Sequence, residues 1–401
     1  MFDGGGRGRI EFASQHMPAL RAATEAVAAA GRLAGRRIGV ALTLEPKTAC
    51  LVESIASLGA EVAVLAIASS TKPEVVEALA AAGVTVLAEP GAPPERAAAL
   101  LDSLVDTQPE YLCDDNAVVV RYIHRARPGA LAALRGVAEE TTSGVRPLRV
   151  MEEQGVLEVP CVAVNDARTK VEFDNVYGTG QSVVTAVVDA TGLRLGGLAV
   201  VVVGYGPVGR GIAAMARAMG CRVTVTEVDP VRALVAVHDG FAVAPLARAV
   251  RTAGLVVTAT GIGHSLTGEH LELLPDGAVV AVGGAGQPEV DPTLDGEIAW
   301  GEEVLPGVRE LHTGRGTTIL LVADGHCANT TAGEGNPIEI MDLSLALQLR
   351  ALDHLAANDL PPGVHLLPRH VEDEVARSQL AAAGIDLDLP SEAQRRAAGT
   401  W

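Results

Sequence analysis

The sequence predicts an α/β protein built from two parallel-sheet domains, on three observations. From Arg37 to about Val162, short apolar strands alternate with helical stretches. From Leu198 to Asp229, LAVVVVGYGPVGRGIAAMARAMGCRVTVTEVD sets an apolar strand, a glycine turn, a helix and a second strand in series. The 401 residues, 48% of them hydrophobic, suffice for two ordinary domains with full cores. Strands that alternate with helices build a parallel sheet covered on its faces.

In chain order, residues 11–35 read as an amphipathic, Ala-rich helix. Then follow IGVAL, a helix over Thr48–Leu58, EVAVLAI, a helix over Pro73–Ala82, VTVLA, a helix over Pro94–Val105, and EYLCDD. These assign residues 1–180 to a first domain, with 163–180 as the connection onward. A second domain over 181–336 continues through LVVTATG (255–261) and AVVAVGG (278–284). The long amphipathic stretch 337–360 returns to the first domain, which 337–372 completes. Residues 373–401 form a C-terminal tail suited to a subunit contact. With only ten aromatic residues, Val, Leu and Ala must fill both cores.

The second domain opens on a Rossmann-type signature. Gly204 permits the tight turn, Gly206 lets backbone approach a pyrophosphate, and Gly209 lets the helix pack on its strand, with Val208 between them. N–H groups at that helix N-terminus hold phosphate oxygens. Glu227, about 20 positions past the glycines, accepts from a ribose diol and repels a 2′-phosphate. NAD is therefore the expected cofactor, with Arg232 a small counter-signal.

Composition narrows the rest. A formal net charge of −18 argues against nucleic acid or an anionic membrane as partner. Cys50, Cys113, Cys161, Cys221 and Cys327 are scattered without CxxC spacing, which suggests reduced thiols and no zinc site. With no apolar leader and no apolar run of 18 residues, a cytoplasmic protein is expected.

Basic residues number 31, yet only Lys47, Lys72 and Lys170 are lysines. Arginine keeps its proton in a protein, whereas a buried lysine can release one. Lys170 and Asp174 stand four apart, on one face of a helix. Asp174 would hold the amine, and burial would lower its pKa towards use as a proton acceptor. Asn165, Asp166 and Asn175 crowd the same segment, and Glu140 precedes a cluster of hydroxyls in EETTSGV (139–145).

In order along the chain, GVAEETTSGV, VNDARTKVEFDNVYGTGQS, VVVVGYGPVGRG with TEVDP, and GEGNPIEIMDLS resemble the S-adenosylhomocysteine hydrolase family. The short form, without an insertion in the cofactor domain, is the nearer match. The resemblance implies a substrate-binding domain and an NAD domain closing over a small molecule, and a homotetramer. It also implies oxidation at the ribose 3′-carbon, loss of the 4′ proton, expulsion of the 5′ thiol, addition of water and return of hydride. By resemblance, Lys170 and Asp174 serve the 3′-hydroxyl, Glu140 binds the sugar diol, and Asn175 supports the pair. Asp115 matches the group at the 4′/5′ end. Thr141, Thr142, Ser143 and Asn329 match contacts to the nicotinamide.

The other half of the family pattern is altered. Where the family has histidines, this chain has Thr43, Ala285 (in GAGQ, after Gly284) and Asn336. The base-contacting positions are Glu45 and Lys47, the loop near the amino-acid tail reads SSTKP with Lys72, and Thr179 stands where a cysteine is usual. Losing one acid–base group costs about 10²–10⁴ in rate. His326, close in sequence to Asn329, is a candidate replacement. Retained redox residues beside a changed substrate site point to ketone and enone chemistry on a substrate other than S-adenosylhomocysteine. Making or breaking a thioether C–S bond is one form of it. New lysines at Lys47 and Lys72 suggest an anionic substrate. A genuine adenosylhomocysteinase, a nucleoside-sugar redox enzyme or epimerase, and an inactive NAD-binding regulator share these residues as alternatives.

Overall fold

The computed structural model describes residues 5–66, 70–89 and 94–399. Ile67 of the expected strand EVAVLAI, Ser69 of SSTKP, and Thr400 and Trp401 of the tail lie outside the described residues.

The first sheet contains β1 (Arg37–Ala41), β2 (Glu61–Leu65), β3 (Thr85–Leu87), β4 (Tyr111–Asp114), β5 (Gly136–Glu139) and β6 (Pro160–Ala163). A late strand, Gly363–His365, pairs with β6, so the order is Gly363–His365, β6, β5, β4, β1, β2, β3, parallel throughout. The second sheet follows from β7 (Ala199–Val203), β8 (Arg222–Thr226), β9 (Ala242–Val243) and β10 (Leu255–Thr258). β11 (Leu266–Thr267) and β13 (Val290–Asp291) pair separately on either side of β12 (Val279–Val282). β14 (Ile298–Leu305), β15 (Val308–Thr313) and β16 (Thr318–Val322) close it in the order β14-β15-β16-β12-β10-β7-β8-β9. Only the β14/β15/β16 edge is antiparallel. β7 is apolar without alternation because helices cover both its faces: Val202 packs with Ile212 and Ala213, and Val201 with Val250 and Leu271.

Two expectations differ. The boundary drawn at 372 between first domain and tail falls inside the helix Arg369–Ala382, which packs against Pro18–Ala30 through buried Val371 and Val375. The helix read over 11–35 is two helices, Gly6–Gln15 and Pro18–Ala30. Pro18 has no N–H to donate and drives Met17 out of helical geometry, to φ −121° and ψ 63°. The helix Ile338–Ala357 runs back from the second sheet and packs against Pro18–Ala30 and β5.

Both sheets change winding direction at their centre: β1 lies between β2 and β4, and β7 between β8 and β10. Connections leave such a point toward opposite faces, which opens a crevice at the strand carboxyl ends. The two crevices share one cavity of about 1700 Å³. Single-ligand sites run to about 300–1,000 Å³, so this volume holds a dinucleotide and a second small molecule together. No helix among the described residues is long and apolar enough to cross a membrane.

Candidate active site

The glycine turn after β7 has the shape a dinucleotide needs. Gly204 has φ +96°, and a Cβ on Gly209 would lie 2.0 Å from the Gly204 carbonyl oxygen. A Cβ on Gly206 would meet only the Arg232 guanidinium at 3.7 Å, so its cavity side stays open to phosphate. Gly206 caps the helix Pro207–Ala218, whose N-terminus points to the turn, and Val208 lines the cavity beside it. Glu227 is pinned by the N–H groups of Tyr205 (2.7 Å), Val228 (2.6 Å) and Asp229 (3.0 Å). Gly284 is glycine for another reason: a Cβ there would lie 1.8 Å from buried Glu289, whose carboxylate accepts from the Thr260 and Gly261 N–H groups. These features fit NAD. Gly209→Ala is expected to abolish cofactor retention, because backbone must move to admit one methyl; dinucleotide measured after denaturing the purified variant checks this.

Lys170 begins a π-helix, Lys170–Gly178, in which Thr179 N–H bonds the Asp174 carbonyl five residues back. This wider turn brings both position 174 and position 175 under the amine. Lys170 Nζ lies 2.9 Å from Asp174 Oδ2, 3.3 Å from Glu140 Oε1 and 3.3 Å from Asn175 Oδ1. π-Helical turns recur at functional sites because they re-aim side chains in this way. From Asn175 the chain of bonds continues to Asn165 Oδ1 (3.1 Å), which also accepts from Thr142 (2.9 Å).

The electrostatics correct one expectation. Burial does pull the Lys170 ammonium down, but Asp174 and Glu140 together outweigh it and hold the amine above its ordinary range. Lys170 therefore rests charged, as a donor. Burial pushes Glu140 up to about 7 against the pull of Lys170. Glu140 Oε1 is buried without a hydrogen bond among the described residues, an acceptor left open beside the ammonium. Burial likewise raises Asp115 to about 6.

Thr141 Oγ1 donates to Glu139 (2.8 Å) and accepts from Asn116 N–H (2.9 Å), capping the helix Thr142–Glu153. Ser143 donates to Asn116. All three hydroxyl residues line the cavity with Asp115, Glu140, Lys170, Asp174 and Asn175. Asn329 lines it from the second sheet, accepting from Cys327 Sγ at 2.9 Å. Thr43, Ala285 and Asn336, the three positions without histidine, also line it.

Lys47 and Lys72 do not. Lys47 pairs with Glu45 (2.8 Å) and donates to the Glu334 carbonyl (2.8 Å), while Lys72 donates to the Gly333 carbonyl (2.8 Å). Both amines turn to the 333–334 segment instead of the cavity lining, so the structure does not bring them together with the other expected substrate residues. Glu45 keeps a place in the cavity lining; burial raises its carboxyl, and Lys47 engages its Oε2.

Three functional partners escaped the sequence reading. Ser344 donates to Asp174 Oδ2 (2.6 Å), Gln348 donates to Glu140 Oε2, and Ser182 donates to Asn336 (2.7 Å). Ser344 and Gln348, four apart on one face of an apolar helix, were the available signal. His326 lines the cavity, exposed, after three left-handed residues, Ala323 (φ 56°), Asp324 (φ 48°) and Gly325 (φ 79°). Such strain gathers where a side chain must be aimed.

The model of the S-adenosyl-L-homocysteine hydrolase NAD binding domain matches residues 175–335, and that of S-adenosyl-L-homocysteine hydrolase matches residues 3–132. This chain belongs to the S-adenosyl-L-homocysteine hydrolase family. It is 41% identical to the S-inosyl-L-homocysteine hydrolase of Methanopyrus kandleri, over 99% of this chain and 95% of that protein. It is 40% identical to the adenosylhomocysteinase of Thermotoga maritima, over 99% of both. The S-inosyl-L-homocysteine hydrolase of Methanosarcina acetivorans follows at 39%, over 96% of this chain and 94% of that one. One point of identity does not separate the two named activities. Membership of the S-adenosyl-L-homocysteine hydrolase family makes the chain an NAD-dependent, hydrolase-like enzyme acting on a small molecule.

Proposed function

We propose that this chain oxidises a ribose-type hydroxyl at Lys170 and uses the resulting acidity to make or break a C–S bond in a thioether other than S-adenosylhomocysteine. The observation that carries the reading is one cavity with an intact cluster and an altered lining: the Lys170–Asp174–Glu140 cluster is complete, while Thr43, Ala285 and Asn336 stand where the family pattern has histidines. Bound NAD supplies a reversible hydride acceptor. Lys170 donates to the hydroxyl oxygen, and Glu140, near 7, takes its proton. Asp115, near 6, is the titratable carboxyl for proton exchange at the sulfur end. An ionised Glu140 is required, so turnover should rise with pH through about 7, and Glu140→Gln should erase that limb.

The substrate need not be anionic, given where Lys47 and Lys72 bind. The hypoxanthine thioether is the first non-adenine candidate, because relatives named S-inosyl-L-homocysteine hydrolase reach 41% identity. Glu45, in the cavity lining, supports it as an acceptor for a ring N–H. The exposed Ile385, Leu387 and Leu389 support a subunit contact through the tail.

The test mixes holoenzyme with nucleosides and thioethers that differ in base and in sulfur substituent. Cofactor reduction is followed by near-ultraviolet absorbance, and thiol release or uptake is measured in parallel. A non-adenine member should give both signals. Activity confined to S-adenosylhomocysteine would reverse the substrate reading, and no reduction by any member would reverse the redox reading.

A further inference from the structure

We propose that Asn336 is a positioning residue for the Lys170–Asp174 pair and not a substrate contact, an inference resting on the role proposed for Lys170. Its amide is spoken for on both sides. Nδ2 donates to Asp174 Oδ1 (2.7 Å) and to Thr179 Oγ1 (3.2 Å), while Oδ1 accepts from Ser182 (2.7 Å) and from Asn329 Nδ2 (3.0 Å). Asp174 Oδ1 is thus fixed by Asn336, and Oδ2 by Lys170 and Ser344. The carboxylate has no freedom left to rotate away from the amine. The same amide ties Asp174 to Asn329, so one side chain joins the hydroxyl end of the cavity to its cofactor end.

Asn336 is itself held from the first sheet. The segment before it is gripped at Gly333 by Lys72 and at Glu334 by Lys47. Gly335, with φ +72°, donates its N–H to the Asn329 carbonyl at 2.8 Å. The two lysines that sequence alone assigns to substrate therefore secure the crossover segment that carries Asn336. An amide suits this junction because it donates to a carboxylate and accepts from two donors at once, in one protonation state at every working pH.

The test compares N336A and N336D with the parent holoenzyme, using adenosine and inosine as probes of cofactor reduction. Loss of the amide should slow reduction about 10²-fold, the effect of a small misplacement of a reacting group, with half-saturating nucleoside unchanged within about threefold. N336D keeps the shape but sets a second carboxylate against Asp174, and should be slower than N336A. Hydrogen exchange over residues 170–182 should quicken in both variants. Weaker nucleoside binding at an unchanged maximal rate would overturn the proposal, making Asn336 a substrate contact. If the parent reduces its cofactor with neither probe, the failure touches the Lys170 reading. Exchange then decides this one, and unaltered protection of 170–182 in N336A would overturn it.

Discussion

Lys170→Arg loses turnover by about 10²–10⁴ while the protein still purifies with its cofactor. Guanidinium keeps the positive charge that Asp174 and Glu140 require, so the buried carboxylates stay compensated. Its planar fork does not reproduce a point donor at 2.9 Å from Asp174, so the hydroxyl is no longer held where Glu140 takes its proton. Lys170→Met is the complementary control. It strands two buried carboxylates beside each other and should cost about 3–5 kcal/mol of stability, read as a lower unfolding midpoint. The two variants separate charge from donor placement: arginine should fold normally and not turn over. Full activity in Lys170→Arg would eliminate hydroxyl oxidation through this residue. C–S chemistry without a redox step, with the dinucleotide as a fixed electrostatic element, would become the leading account.

Purified enzyme hydrolyses S-adenosylhomocysteine well below the roughly 1 s⁻¹ that marks an ordinary turnover. Thr43 and Ala285 both line the cavity, and neither can exchange a proton near neutral pH. Each missing acid–base group costs about 10²–10⁴, more than Asp115 alone restores. Thr43→His with Ala285→His should raise homocysteine release from S-adenosylhomocysteine by at least about tenfold, with NAD content unchanged. Ordinary turnover by the unmodified enzyme would show that another group serves the leaving sulfur. His326→Ala would then be the next measurement, since that ring also lines the cavity.

Short-range physics made much of this protein legible from its chain alone. The turn at Gly204–Gly209 depends on backbone sterics that only glycine satisfies, so its spacing announced it. Glu227 lies at a distance along the chain set by one helix and one strand. Lys170 and Asp174 met through a single turn, although the turn is π-helical and also collects Asn175. The two-domain α/β pattern followed because parallel strands buried on both faces must read as apolar runs between helices.

What tertiary structure decided rests on contacts between distant segments. Ser344 and Gln348 reach Asp174 and Glu140 across 170 and 208 positions, a pairing no local spacing encodes. Lys47 and Lys72 looked like substrate groups because residue type announces a charge but not its partner; the partner is the crossover segment at Gly333 and Glu334. The protonation of Lys170 turned on a sum of opposed effects. Burial alone lowers an amine, two carboxylates converging from separate elements raise it, and only their assembled geometry fixes which wins.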